Sequence, residues 1–109
     1  MTKLYKLIVN VPSTHADIVR QAMGDAGAGQ VGNYSHCSFT AKGTGRFLPN
    51  ESANPHIGMA GKLESVEEEQ IQVDVTADQI TKVISAMKSV HPYEEIGFDV
   101  YEQVDWKNL

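Results

Sequence analysis

Ile71-Gln72-Val73-Asp74-Val75-Thr76-Ala77-Asp78-Gln79-Ile80-Thr81-Lys82-Val83-Ile84-Ser85-Ala86-Met87 contains a change of period. Ile71, Val73 and Val75 alternate with polar residues, which predicts a strand with one buried face. Ile80, Val83, Ile84 and Met87 then recur at i, i+3, i+4 and i+7, the apolar stripe of a helix. Thr76 and Gln79 have the spacing of a capping box, with Val75 and Ile80 as its hydrophobic staple. The helix has to end near His91, because Pro92 lacks an N–H and disfavours helical geometry in the residue before it. Beyond the turn His91-Pro92-Tyr93-Glu94-Glu95, a further strand is predicted from Ile96, Phe98 and Val100 alternating with Gly97, Asp99 and Tyr101.

The N-terminal half has the same order. Tyr5, Leu7, Val9 and Val11 recur at period two, with Leu4, Lys6, Ile8 and Asn10 on a half-polar second face, and Pro12 ends this strand. Ser13 or Thr14 is placed to cap the next helix, and Asp17 in its first turn suits the helix dipole. Val19, Ala22, Met23 and Ala26 form its narrow stripe; Gly24 weakens it, and Gly27 or Gly29 supplies the stop. A second strand is expected from about Gln30 to Ala41, with Val31, Cys37 and Phe39 on the core face and Tyr34, His36, Ser38 and Thr40 on the other. Cys37 then packs as a small hydrophobe. Residues 43–61 are punctuated by Gly43, Gly45, Pro49, Pro55, Gly58 and Gly61 and read as a hairpin extension or a functional loop. Glu67-Glu68-Glu69 reads as a solvated face.

Strand, helix, strand, strand, helix, strand is the order of a ferredoxin-like βαββαβ sandwich. A four-stranded antiparallel sheet with both helices on one face is therefore expected, as a single domain over residues 1–109. Val19, Met23, Ile80, Ile84 and Met87 are expected to be buried against the sheet. Its open face, with Tyr34, His36, Ile8 and Tyr101, is too apolar to stand in water, which implies an oligomer. Trp106 is expected to dock on the body or on a neighbouring subunit.

Fourteen acidic against nine basic residues give a net charge of −5, which argues against nucleic acid or an anionic membrane surface as the main partner. No apolar run approaches the roughly 20 residues that span a bilayer, and the first residues read as a strand rather than a signal peptide. The single cysteine is consistent with a reduced, cytoplasmic setting.

Candidate chemistry lies in two places. Gly43-Thr44-Gly45-Arg46 offers backbone N–H groups and a guanidinium to an anion, without the spacing of a phosphate loop. Gly43, Gly45, Arg46, Tyr93 and Glu95 form the expected ligand-binding set. The turn after the second helix reads in two ways. In one it is structural, with Tyr93 packed and His91 hydrogen-bonded near the helix end. In the other His36, His91 and Glu94 supply N and O donors suited to zinc or copper, in a site assembled by folding or between subunits. No catalytic residue is assigned: His36 should face away from Cys37 on a strand, and Glu94 and Glu95 diverge as neighbours.

Several stretches in sequence order resemble one family. Gly32-Asn33-Tyr34-Ser35-His36-Cys37-Ser38-Phe39, Gly43-Thr44-Gly45-Arg46-Phe47, Asn54-Pro55-His56-Ile57-Gly58 and His91-Pro92-Tyr93-Glu94-Glu95 resemble the inserted middle domain of the Nif-three-like (YqfO-type) proteins. His-Pro-Tyr-Glu and the strand order are also similar to the trimeric CutA divalent-cation-tolerance proteins, whose fold the PII signalling proteins share. The resemblance implies a CutA/PII-like fold, three subunits, a small-molecule or protein partner, and zinc or copper contact through His91 and Glu94. It also implies that the family's dinuclear metal site and any hydrolase activity belong to domains flanking this one. A non-enzymatic binding or regulatory module is therefore the first expectation, and a metal-dependent hydrolase of nucleotides or phosphate esters the second.

Overall fold

The computed structural model describes residues 3–109. Four strands, β1 (Leu4–Pro12), β2 (Phe39–Phe47), β3 (Glu64–Thr76) and β4 (Phe98–Glu102), make one sheet in the order β2-β3-β1-β4, with every neighbouring pair antiparallel. Helix α1 (Ala16–Asp25) follows β1 and helix α2 (Ile80–Val90) follows β3. The register aligns Leu7 with Val73 and Val9 with Ile71, so the alternating apolar residues of both central strands share one face. Val19 and Met23 of α1 and Val83 and Met87 of α2 close that face and are fully buried. Each such side chain contributes about 1.5–3 kcal/mol of transfer free energy. The fold is the ferredoxin-like sandwich expected from the element order. Ile80 and Ile84 differ from expectation in being only partly buried, at the margin of the core.

The open face carries the alternate register positions, among them the row Phe39, Gln72, Ile8 and Asp99 across all four strands. Phe39 is 66% exposed there. Tyr34 and His36, expected on this face, are not on the sheet at all. β2 begins at Phe39, not near Gln30, and residues 30–38 form a loop tied by the Val31–Tyr34 bridge and by Cys37 N–H donating to the Gly29 carbonyl. Cys37 is accordingly half-exposed in this loop rather than packed in the core. Positive φ at Gly27, Gly29 and Gly32 turns the chain out of α1 faster than a strand would allow.

Neither helix uses the expected side-chain cap. Ser13–His15 form a single 3-10 turn, and His15 occupies the cap position of α1. Gln79 occupies that of α2 without a side-chain cap bond, its N–H instead donating to the Thr76 carbonyl. The glutamate run is not simply solvated either. β3 extends back through it, and buried Glu69 accepts from Arg20 at 2.9 Å while Arg20 also bonds Thr40 and Asp17. Gly43–Phe47, read as irregular, belong to β2, so the unpaired part of the hairpin is confined to residues 48–63. This hairpin helps draw the molecule out to 49 × 27 × 23 Å. Trp106 caps nothing on the body: it sits in a short 3-10 turn held by Asp105 and is 73% exposed.

Candidate functional site

The turn after α2 is built by Pro92. His91 leaves helical geometry, with φ −76° and ψ 133°, while its N–H still donates to the Met87 carbonyl. Its ring is thereby carried under β1, where Nε2–H donates to the Asn10 carbonyl at 2.8 Å. A carbonyl only accepts, so the neutral ring keeps its lone pair on Nδ1, and that atom accepts the Tyr93 N–H at 3.2 Å. Burial pushes the imidazole below its ordinary value, an effect the Asn10 bond and the nearby Glu68 charge only partly oppose. His91 is a neutral strut between strand and turn.

Tyr93, aimed by that strut, reaches the base of the hairpin. Its hydroxyl donates to Glu68 Oε2 at 2.8 Å, and burial, then this hydrogen bond, raise the phenol well above its ordinary value. The carboxyl group of Glu68 in turn lies across Gly45: a Cβ there would stand 2.2 Å from the carboxyl carbon. Gly45 thus makes room for the chain's own carboxylate. Phe47 meets Tyr93 edge-on at 6.0 Å between ring centroids, and His56 lies 6.4 Å from Tyr93 and 5.4 Å from His15. Asn54 N–H donates to Glu94 Oε1 at 2.8 Å, joining the hairpin loop to the turn from the other side.

Between these ties lies an open cleft of about 630 Å³. Arg46, Phe47, His56, Glu68, Tyr93 and Glu95 are among its walls, and Glu94 lines it too. A smaller depression of about 270 Å³ adjoins it, lined by Gly43 and Gly45 and sharing Asn10 and Glu68 with the cleft. The five residues expected to bind a ligand therefore fall along one continuous groove: Arg46, Tyr93 and Glu95 in the cleft, Gly43 and Gly45 in its extension. Asn10, Phe47, His56 and Glu68 join them without having been singled out as site residues. His56 and Phe47 stood in quoted motifs, but nothing in their spacing says which side of the hairpin they line.

The three expected metal donors are not brought together. Both ring nitrogens of His91 are committed, Glu94 holds the Asn54 N–H, and His36 lies by the end of α1. Its Nε2 is 2.9 Å from Asp25 Oδ1 and its Nδ1 2.9 Å from Ser35 Oγ. Among the described residues there is no group of three or more His, Cys, Asp or Glu side chains that could hold a metal. The donor set within one chain does not fit zinc or copper. His36 adopts φ 59°, the single positive φ outside glycine among the described residues, and its ring packs where a Cβ on Gly24 would stand 2.1 Å from Cδ2. The helix-weakening glycine is the room for that ring. Hydrogen bonding from His36, then from Gln21, holds the Asp25 carboxyl below its ordinary value.

No family model matches the chain. A Halalkalibacterium halodurans protein called a GTP cyclohydrolase 1 type 2 homolog is 57% identical over 98 residues, which is 90% of this chain and 26% of that protein. A Bacillus cereus protein related to NIF3 superposes with a TM-score of 0.82 at 48% identity, over 95% of this chain and 26% of that one. The periplasmic divalent cation tolerance protein CutA from Archaeoglobus fulgidus superposes with a TM-score of 0.66 at 14% identity, over 94% of this chain and 84% of that one, a likeness of fold. The chain spans about a quarter of the length of the curated relatives it matches. Over nearly its whole length, therefore, the chain is similar to one CutA-like quarter of Nif-three-like (NIF3-related) proteins.

Proposed function

We propose that this chain is a non-enzymatic binding or regulatory module of Nif-three-like proteins, which takes a small ligand in the cleft between the β2–β3 hairpin and the His91–Glu95 turn. The observation that carries this reading is the convergence of three distant stretches on one groove: 43–47, 53–57 and 93–95. Struts from His91 and Tyr93 hold its walls, so the groove is formed before any ligand arrives. The lack of convergent metal donors among the described residues supports a binding role over metal-dependent hydrolysis.

Self-association belongs to the same proposal. Phe39 and Tyr101 on the open face, with Val104, Trp106 and Leu109 beyond β4, leave apolar surface that a second copy would cover. The resemblance to CutA proteins is what favours three subunits over two in this proposal. The free thiol of Cys37 is in keeping with a cytoplasmic setting as part of this proposal. No helix among the described residues is long and apolar enough to cross a membrane.

Titration of a small-molecule panel, including zinc, copper and nucleotides, while following backbone amide NMR signals tests the reading. Shifts confined to residues of the groove are expected. No shift at any groove residue, or turnover of GTP or phosphate esters by the chain with added metal, would overturn it. Light scattering tests the assembly: three chain masses are expected, and a monomer would remove it.

A further inference from the structure

The cleft has a charge sign and an aromatic wall, and together they select a class of ligand. Glu68, Glu94 and Glu95 face Arg46 as the single Lys or Arg among the lining residues, which leaves two negative charges in excess. None of these three carboxylates is ion-paired to a lysine, arginine or histidine among the described residues, although Arg20, Lys6, Lys3 and His36 all pair elsewhere. Phe47 and His56 line the same space, each beside Tyr93, at centroid distances of 6.0 and 6.4 Å and interplanar angles of 64° and 54° respectively. Aromatic rings lining a cleft offer it π surface, which attracts a cation that carries apolar groups. An inorganic divalent ion lacks its ligands here, since no group of three metal donors exists among the described residues. A polyphosphate meets the wrong sign of charge.

Resting on the cleft being a ligand site, we propose that its ligand is an organic cation: an ammonium group bearing apolar substituents, held between the Phe47, Tyr93 and His56 rings with Glu94 and Glu95 as counter-charges. Leu48, Pro49, Ala53 and Ile57 complete the apolar lining for the ligand's body. Arg46 sits on β2, beside the hairpin loop, and is the cleft's single arginine or lysine among the described residues. Glu68 is already bonded by the Tyr93 hydroxyl, so it shapes the wall. Glu95 contributes charge without such a role.

The test uses choline, its uncharged carbon analogue dimethylbutanol and ATP as probes, each titrated against the whole chain by amide NMR at constant ionic strength. Choline is expected to shift the amides of 47, 56, 93 and 95, and to bind about fivefold or more tightly than the uncharged analogue. Glu95→Gln and Phe47→Leu should each weaken choline while leaving dimethylbutanol within about twofold, with the melting temperature as a folding check. Equal binding of choline and dimethylbutanol, or tighter binding of ATP in the cleft, overturns the cation and leaves the cleft as a ligand site. Silence from all three probes overturns the cation, and the wider panel above then decides the cleft. Weakening of both probes to the same degree by Glu95→Gln also overturns it, because that marks a change of shape rather than of charge.

Discussion

Met87 and Tyr93 are six residues apart, yet they belong to regions held together by different physics. Met87 is fully buried among Leu7, Val9, Val19 and other aliphatic side chains that share no polar atoms, and its neighbourhood depends on volume and apolar area. Tyr93 stands at the mouth of the cleft, where the contacts are a hydroxyl on a carboxylate, an imidazole on a carbonyl and rings meeting edge-on. The first region tolerates no void. The second holds an open volume beside it, because a few directional bonds fix the turn without filling the space. A binding site needs that second kind of construction, and the chain sets it against the first.

The largest effect on this contrast should come from the core. Met87→Ala leaves a cavity that the surrounding strands cannot close and is expected to destabilise the chain by about 2–5 kcal/mol, read from urea unfolding at unchanged slope. If the loss is as small as at the cleft, the two regions do not differ as argued.

His91→Ala comes next. It strands the Asn10 carbonyl and the Tyr93 N–H together, at about 1–3 kcal/mol, and should loosen the cleft: amide exchange at Asn54 and Tyr93 accelerates while β3 stays protected. Uniform acceleration across the sheet would show that the histidine supports the core instead.

Tyr93→Phe is the sharper cut. It keeps the ring and removes one hydrogen bond to a charged acceptor, with an expected cost of about 1 kcal/mol because Glu68 regains water. The melting temperature should fall only slightly, while the 47 and 68 amides move. An unperturbed spectrum around Gly45 would mean that Glu68 is placed by the strand and not by the phenol.

The smallest effect is on pH dependence. His91 titrates lower folded than unfolded, so between those two values the unfolded chain binds more protons and stability rises with pH. Its contribution is complete above the ordinary histidine value and is lost as pH falls toward the depressed one. Asp25, also lowered, acts further down: its contribution is present above the ordinary carboxylate value and disappears as pH falls through the folded one. Stability of wild type and His91→Gln should therefore converge toward the acid side of the histidine range. Parallel curves through that range would place the dependence on another group.

The helices and three of the strands were legible because each carries its own period: Ile71 to Val75 and Val83 to Met87 state their geometry within a few residues. The second strand lies later than its pattern suggests because Val31, Cys37 and Phe39 happen to keep even spacing across a loop, while β2 itself, Phe39 to Phe47, is glycine-rich and largely exposed and shows no alternation. Pairing with β3 makes it a strand. The capping residues were misread for a related reason: Thr76 and Gln79 have the right spacing, but the backbone turn at Thr76 satisfies the N–H that the side chain would have taken.

By itself the sequence determined the ferredoxin-like order of elements, the core face of β1 and β3 and the stop at Pro92, since these depend on contacts between near neighbours in the chain. Only the tertiary structure decided that His91 is a committed strut and His36 a loop anchor rather than partners around a metal. It alone also gathered Arg46, His56, Tyr93 and Glu95 around one cleft. Those outcomes depend on which lone pairs are already taken and on which side of a hairpin a residue lands, and both are set by register between strands that are far apart in the chain.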